Sequence, residues 1–248
     1  MKLSLVFATA ISSFLVGATI ALGFSDQADA LTFSGISTGR WGEPNPGSTD
    51  TNPNPIYTGV GNNTFTWGNP NVCLPNPNPA SGCRITAPNK LTFTGNSFST
   101  DLNSVFKIAD LAYFNGKIVN GTSVEDVPLN LNVSFSPPVG ISQVFDLKLH
   151  LVNTPNKLTN SEEENADFVF IDENLSNPTF TFEGNKYTLE VTGFNPELRQ
   201  ISIEALEGET TKTAIYAKIK TIPEPTTVAS LFLVGMYLIS SKKLLEKK

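Results

Sequence analysis

The chain has 248 residues, 40% of them hydrophobic, enough for one domain with a sizeable core. Its formal net charge of −6 makes nucleic acid and anionic membrane surfaces poor partners. Two cysteines and one histidine supply neither a Cys/His metal site nor a two-histidine catalyst.

Met1 and Lys2, followed by an apolar run over residues 3–22, have the charged start and hydrophobic centre of a secretory signal peptide occupying 1–30. Ala28 and Ala30 bracket Asp29 in a small-x-small pattern, so signal peptidase is expected to cut before Leu31. An uncleaved N-terminal anchor is the alternative, and the strand-like Leu31-Thr-Phe that follows favours cleavage. Setting aside residues 1–30 and 224–248 removes Lys2 and four tail lysines, and also Asp26, Asp29, Glu224 and Glu246. The remainder has 12 basic and 19 acidic residues, a net charge of −7.

Residues 31–221 form the predicted domain. Its early part contains a low-complexity loop at 43–55, Glu-Pro-Asn-Pro-Gly-Ser-Thr-Asp-Thr-Asn-Pro-Asn-Pro, expected at one end of the fold. Phe65-Thr-Trp67 is a short strand candidate. Cys73 and Cys83 close a Pro/Asn loop near the same end. In an oxidising compartment that pair reads as a local disulfide worth about 3 kcal/mol, not as a redox site. Strand candidates follow at 90–94 and 105–114, the second slipping phase near Asp110, which predicts a bulge.

Leu129, Leu131, Val133 and Phe135 then alternate with Asn130, Asn132 and Ser134, and Phe145, Leu147, Leu149 and Leu151 with Asp146, Lys148 and His150. Phe180 and Phe182 lead through Glu183-Gly-Asn-Lys186 to Tyr187, Leu189 and Val191, a hairpin with its turn and register specified. Ile201, Ile203 and Ala205, then Ile215, Ala217 and Ile219, add two more strands. No segment sustains a 3.6-residue period. The pattern predicts an all-β fold, an antiparallel β-sandwich of jelly-roll type.

Chemistry is sparse along these strands. His150 would act in a Ser-His-Asp site only if distant residues converged on it. In Ser161-Glu-Glu-Glu-Asn-Ala-Asp167 and the strand after it, Asp167 and Asp172 are candidate calcium ligands, because hard cations take clustered oxygens. The alternative is a solvated acidic loop that raises solubility. Trp41, Trp67, Tyr57 and Tyr113 would furnish a sugar-stacking platform, or else pack the interior. A calcium-assisted carbohydrate-binding module is therefore one reading of the domain. A polysaccharide-active enzyme with two facing carboxylates is a weaker one.

At the end of the chain, Pro223 and Pro225 flank Glu224 and halt any strand at that point. The apolar run at 228–239 would span about 18 Å as a helix, against a hydrocarbon core of roughly 30 Å. Extended to 226–245, with lysines snorkelling, it reaches about 30 Å, enough for a transient transmembrane helix. Lys242, Lys243, Lys247 and Lys248 would stay cytoplasmic. Residues 222–248 resemble the PEP-CTERM sorting signal of Gram-negative bacteria: Pro223, Glu224 and Pro225 match its motif, 228–241 its helix, and the lysines its basic end. The resemblance implies an exosortase-type enzyme as partner. The family's basic end is more often arginine-rich.

Several stretches of the body resemble the choice-of-anchor K domain of exported bacterial proteins. They are Gly59-Val-Gly-Asn-Asn-Thr-Phe-Thr-Trp-Gly68, Leu91-Thr-Phe-Thr-Gly95, Phe106-Lys-Ile-Ala-Asp-Leu-Ala-Tyr-Phe-Asn-Gly116, Asn120-Gly-Thr122, residues 129–135, Thr154-Pro-Asn156 and Ala166-Asp167. Ile108-Ala-Asp110 stands where such domains more often carry glycine. The resemblance implies an exported, surface-associated module of unknown activity rather than a catalyst, acting at the envelope or in an exopolysaccharide matrix; apart from the calcium alternative, no cofactor is expected.

Overall fold

Period-two alternation becomes period-two burial along most of the thirteen strands found among the described residues. A computed structural model describes residues 31–70, 87–155, 159–172, 178–195 and 200–223. Ala28, Ala30, Cys73, Cys83, Glu224 and Pro225 lie outside them, and so do the expected signal peptide, disulfide and tail helix. In chain order the strands are β1 (Thr32–Trp41), β2 (Tyr57–Thr58), β3 (Thr64–Trp67), β4 (Asn89–Gly95), β5 (Ser97–Asp101), β6 (Val105–Phe114) and β7 (Asp126–Phe135). They continue as β8 (Ser142–Val152), β9 (Asp167–Ile171), β10 (Thr179–Phe182), β11 (Asn185–Gly193), β12 (Ser202–Ala205) and β13 (Thr210–Ile222). Among the described residues no helix is long and apolar enough to cross a membrane.

The strands form two antiparallel sheets. A front sheet runs β12-β9-β8-β7-β1-β5 and a back sheet β10-β11-β13-β6-β4-β3-β2. Seven of the twelve connections between successive strands pass from one sheet to the other. The inner faces pack as the two layers of a β-sandwich. On one side of the core Phe33 of β1 meets Phe180 and Tyr187 of the back sheet, with centroids 6.0 and 5.3 Å away. Elsewhere Trp41 of β1 packs on Phe65 at 6.2 Å, Phe65 stacks on Trp67 at 5.8 Å, and Trp67 stacks on Tyr113 at 5.9 Å.

The predicted hairpin is present: Phe182 pairs with Asn185 and Phe180 with Tyr187. Its two turn residues, Glu183 and Gly184, both have positive φ (51° and 79°), the twist that a two-residue hairpin turn needs. The predicted bulge is present as well. Ile215 of β13 faces Ala109 of β6, the next residue Tyr216 faces Lys107, and Ile108 is the extra residue. Ile108 and Ala109 are buried in succession, which is the phase slip seen in the sequence. The low-complexity loop lies where β7 begins, with Asn54 N donating to Gly121 O (3.0 Å) and Ile56 N to Thr122 O (3.0 Å).

The inward side of β1 is built from small residues. A Cβ at Gly39 would sit 2.7 Å from the Phe93 ring, which occupies the space opposite. Gly39→Ala is therefore expected to cost about 1–3 kcal/mol by overpacking. Urea unfolding should show the midpoint fall with an unchanged m-value.

Candidate functional site

A charged network marks one end of the front sheet's outer face. Asp126 and His150 are directly opposite on β7 and β8. The Asp126 carboxylate contacts His150 Nδ1 at 2.9 Å through Oδ1 and Lys148 Nζ at 3.0 Å through Oδ2. Asn45 Nδ2 donates to the same Oδ2 at 3.4 Å, and an isolated bridge joins Asn45 to Asp126. Burial pushes the Asp126 carboxyl up, but the hydrogen bonds from His150 and Lys148 outweigh it and hold it below its usual range. The same contact raises Lys148. Asp126 thus fastens the 43–55 loop to the sheet.

Beside this network is a cleft of about 410 Å³. His150 and Asn153 line it on the β8 side, Asn120 and Glu125 come from the segment before β7, and Thr51 and Asn52 from the fastened loop. Ser123 also lines the cleft, but its hydroxyl is buried and donates to Val124 O at 3.2 Å. It does not complete a Ser-His-Asp arrangement. Phe168 and Phe170, half-buried on the outer face of β9, continue the surface outward from His150. Their ring centroids lie 6.1 Å apart, and Phe170 is 6.5 Å from the imidazole. His150 thus joins the cleft, lined by amides and a carboxylate, to an aromatic pair, and such side chains suit a sugar ring's hydroxyl rim and its apolar face.

This face was not the aromatic platform the sequence suggested. Trp41, Trp67 and Tyr113 are 1%, 2% and 1% exposed and belong to the core. Trp41 Nε1 is spent on Asn63 O at 2.9 Å. Tyr57 stacks on Phe65 at 6.2 Å and donates its hydroxyl to Glu43. Phe168 and Phe170 were legible in principle. In Asp-Phe-Val-Phe-Ile, period two sends both to the face opposite Val169 and Ile171.

The calcium pair is also separated. Asp167 opens β9, whereas Asp172 follows its far end, where its backbone donates to Lys148 O at 2.9 Å. Five extended residues put the two Cα atoms about 16 Å apart, whereas calcium holds its oxygens at about 2.4 Å. Among the described residues no three His, Cys, Asp or Glu side chains gather as a metal site. Glu163 and Glu164 form a 3₁₀ turn capped by Ser161, whose N–H donates to Glu164 Oε2 (2.9 Å) and whose Oγ accepts from Glu164 N (3.2 Å).

Asp167 is instead a buried core acid. It is 1% exposed, and its Oδ1 accepts Thr154 N at 2.6 Å. The Tyr113 hydroxyl interacts with the same carboxyl, yet Oδ2 has no partner of good hydrogen-bond geometry. Burial is the main reason its pKa is pushed up to about 7, helped by the charge of Glu207 and opposed by Thr154 and Tyr113. Burial, then the Asp167 charge, raises the Tyr113 hydroxyl. Close by, Asn115 Nδ2 reaches Ala205 O of the other sheet at 2.9 Å, and Ala205 is paired with Asp167.

Asp126→Ala is expected to destabilise the domain by about 2 kcal/mol, because it removes charged hydrogen bonds from a mostly buried acceptor. Chemical denaturation at neutral pH checks this. Since the carboxyl is held low, its stabilisation is present above its unfolded pKa near 3.8 and is lost as pH falls through the lower folded value. Parent and variant should therefore converge only in strong acid.

No protein-family model matches the chain, and no curated protein matches it.

Proposed function

We propose that this chain is an exported, non-catalytic β-sandwich protein that acts at the envelope or in an exopolysaccharide matrix. In this reading signal peptidase releases it before Leu31, and the Pro223, Glu224, Pro225 motif hands the tail to an exosortase-type enzyme. The carrying observation is the end of β13. That strand is hydrogen-bonded on both sides in the interior of the back sheet, stops at Ile222, and leaves Pro223 exposed. Pro223, the first residue of the motif, is thus exposed just after the last described strand, which supports this reading because a processing enzyme needs an accessible chain. The jelly-roll description, with its frequent crossings between sheets, and the likeness to the choice-of-anchor K domain belong to the same proposal.

Protease added to spheroplasts tests the export. The reading expects the sandwich to be reached without breaking the inner membrane. Protection until lysis would reverse it.

A second reading, a carbohydrate-binding module, is favoured by the Phe168 and Phe170 pair beside the His150 cleft. With Asp167 and Asp172 apart, binding there would not draw calcium ligands from that pair. On a glycan array this reading expects chelator-insensitive signals that disappear in Phe168→Ala/Phe170→Ala. Signals unchanged in that double variant would remove it.

A further inference from the structure

The chain is acidic overall, but its two outer faces differ in sign. The front sheet's strands present four outward carboxylates, Asp101, Asp126, Asp146 and Glu204, against Arg40 and Lys148. The back sheet's strands reverse this. Lys90 of β4, Lys107 of β6, Lys186 of β11, and Lys212, Lys218 and Lys220 of β13 alternate with inward core residues, so all six lie on the outer face. Against them the described strands of that face carry Asp110 and Glu190, with Glu183 and Glu209 in the adjoining turns. Asp110 pairs with Lys107 at 2.7 Å, and Glu190 pairs with Lys220. Within the strands the surplus is four positive charges.

The register turns these lysines into a stripe. Lys186 is opposite Ile222 and Lys218 opposite Glu190, while Tyr216 is opposite Lys107. Phe114 sits between Thr210 on one side and Lys90 on the other, and Lys212 lies two residues further along β13. From residue 212 to residue 222 the stripe is about 33 Å long. Threonine hydroxyls interleave with it, including Thr188 opposite Lys220, Thr66 opposite Lys90, and Thr92 opposite Ala112.

We propose that this back face binds an acidic polysaccharide along β13. The linear array suits a polymer with regularly spaced carboxylates, and the threonines suit its hydroxyls. All six cations are lysines, compact point charges that do not demand the bidentate phosphate geometry of arginine. Lys90 Nζ lies over the ring of Phe114, 5.9 Å from its centroid, so a cation already occupies one face of that ring. Among the described residues the face offers no row of exposed apolar side chains to enter a bilayer. Acidic side chains elsewhere give the chain its negative total, which conceals the local sign. The proposal stands apart from the sorting reading, because it concerns only folded strands.

The test uses the purified full chain, with polygalacturonate as probe, neutral dextran as control, and phosphatidylglycerol vesicles as a competing anionic surface. Polygalacturonate should bind, and binding should weaken at least ~10-fold between about 20 mM and about 300 mM salt. Lys186→Gln/Lys212→Gln/Lys218→Gln, whose circular dichroism should match the parent, should lose at least ~10-fold in affinity. Arg40→Gln on the opposite face should bind like the parent. Four results would overturn the proposal: no binding, equal binding of dextran, full binding by the triple lysine variant, or, in place of polygalacturonate binding, a vesicle capture that the triple lysine variant abolishes. If the triple variant misfolds, the single Lys212→Glu variant takes its place with the same expected direction.

Discussion

Asp167→Asn is expected to abolish most of the pH dependence of stability between about pH 4 and pH 8. In the parent the carboxyl titrates near 7 in the fold and near 3.8 when unfolded, so the folded state binds the extra proton between those two values. A raised folded pKa stabilises fully below the unfolded value and loses that contribution as pH rises through the folded one. Each unit of separation corresponds to about 1.4 kcal/mol, so the parent should lose on the order of 4 kcal/mol on going from about pH 4 to about pH 8. Asparagine retains an oxygen for Thr154 N and carries no charge to bury. The variant should match the parent in acid and exceed it in mild alkali. Thermal melts across pH would decide this, and parallel curves for the two proteins would remove Asp167 as the cause. Asp110 and Asp126, both held below their usual range, titrate outside this window.

Replacing Pro223, Glu224 and Pro225 by alanines is expected to convert a mostly processed protein into one retained almost wholly as the unprocessed membrane form, in a host that has the sorting enzyme. Pro223 lies outside the last hydrogen-bonded strand. The substitution should therefore leave the melting temperature of the sandwich unchanged, and this separates a sorting defect from a folding defect. Immunoblots of membrane and medium fractions read the result. Unchanged tail removal would reduce the motif to a linker.

The sequence made some parts of this fold easy to read and concealed others. β7 and β8 were legible because large apolar residues fill nearly every second position and solvent holds the rest, and β13 through the alternation of Ile215, Ala217 and Ile219. β1 was visible only at its first residues, because its inward positions after Phe33 are Gly35, Ser37 and Gly39 until Trp41. Those positions are small because neighbours supply the bulk. Phe98 of β5 pairs with Gly35, and a Cβ on that glycine would lie 2.8 Å from its ring. A hydrophobic alternation shared between strands cannot be read from either strand alone. β5 escaped for the complementary reason, with Phe98 its only large residue among serines, a threonine and an aspartate.

The candidate sites followed the same logic. His150 was correctly placed on a polar strand face, but its pairing with Asp126 depends on strand register and not on sequence distance. Asp167 and Asp172 were read as candidate calcium ligands around the apolar centre of a strand that follows the Glu162–Glu164 loop. The alternation of β9 makes Asp167 its first inward residue, and burial raises the carboxyl's pKa. Trp41 and Trp67 have the chemistry of a sugar platform, yet both occupy inward positions. Net charge misled most of all, since a total of −6 coexists with a lysine-rich face.

The most direct measurement is the intact mass of the protein recovered from outside the cytoplasm of a host that has the sorting enzyme. The account predicts a chain that starts at Leu31 and has lost the lysine end that follows the Pro223, Glu224, Pro225 motif. A mass that retains Met1 and Lys2, or one that still ends at Lys248, would contradict it.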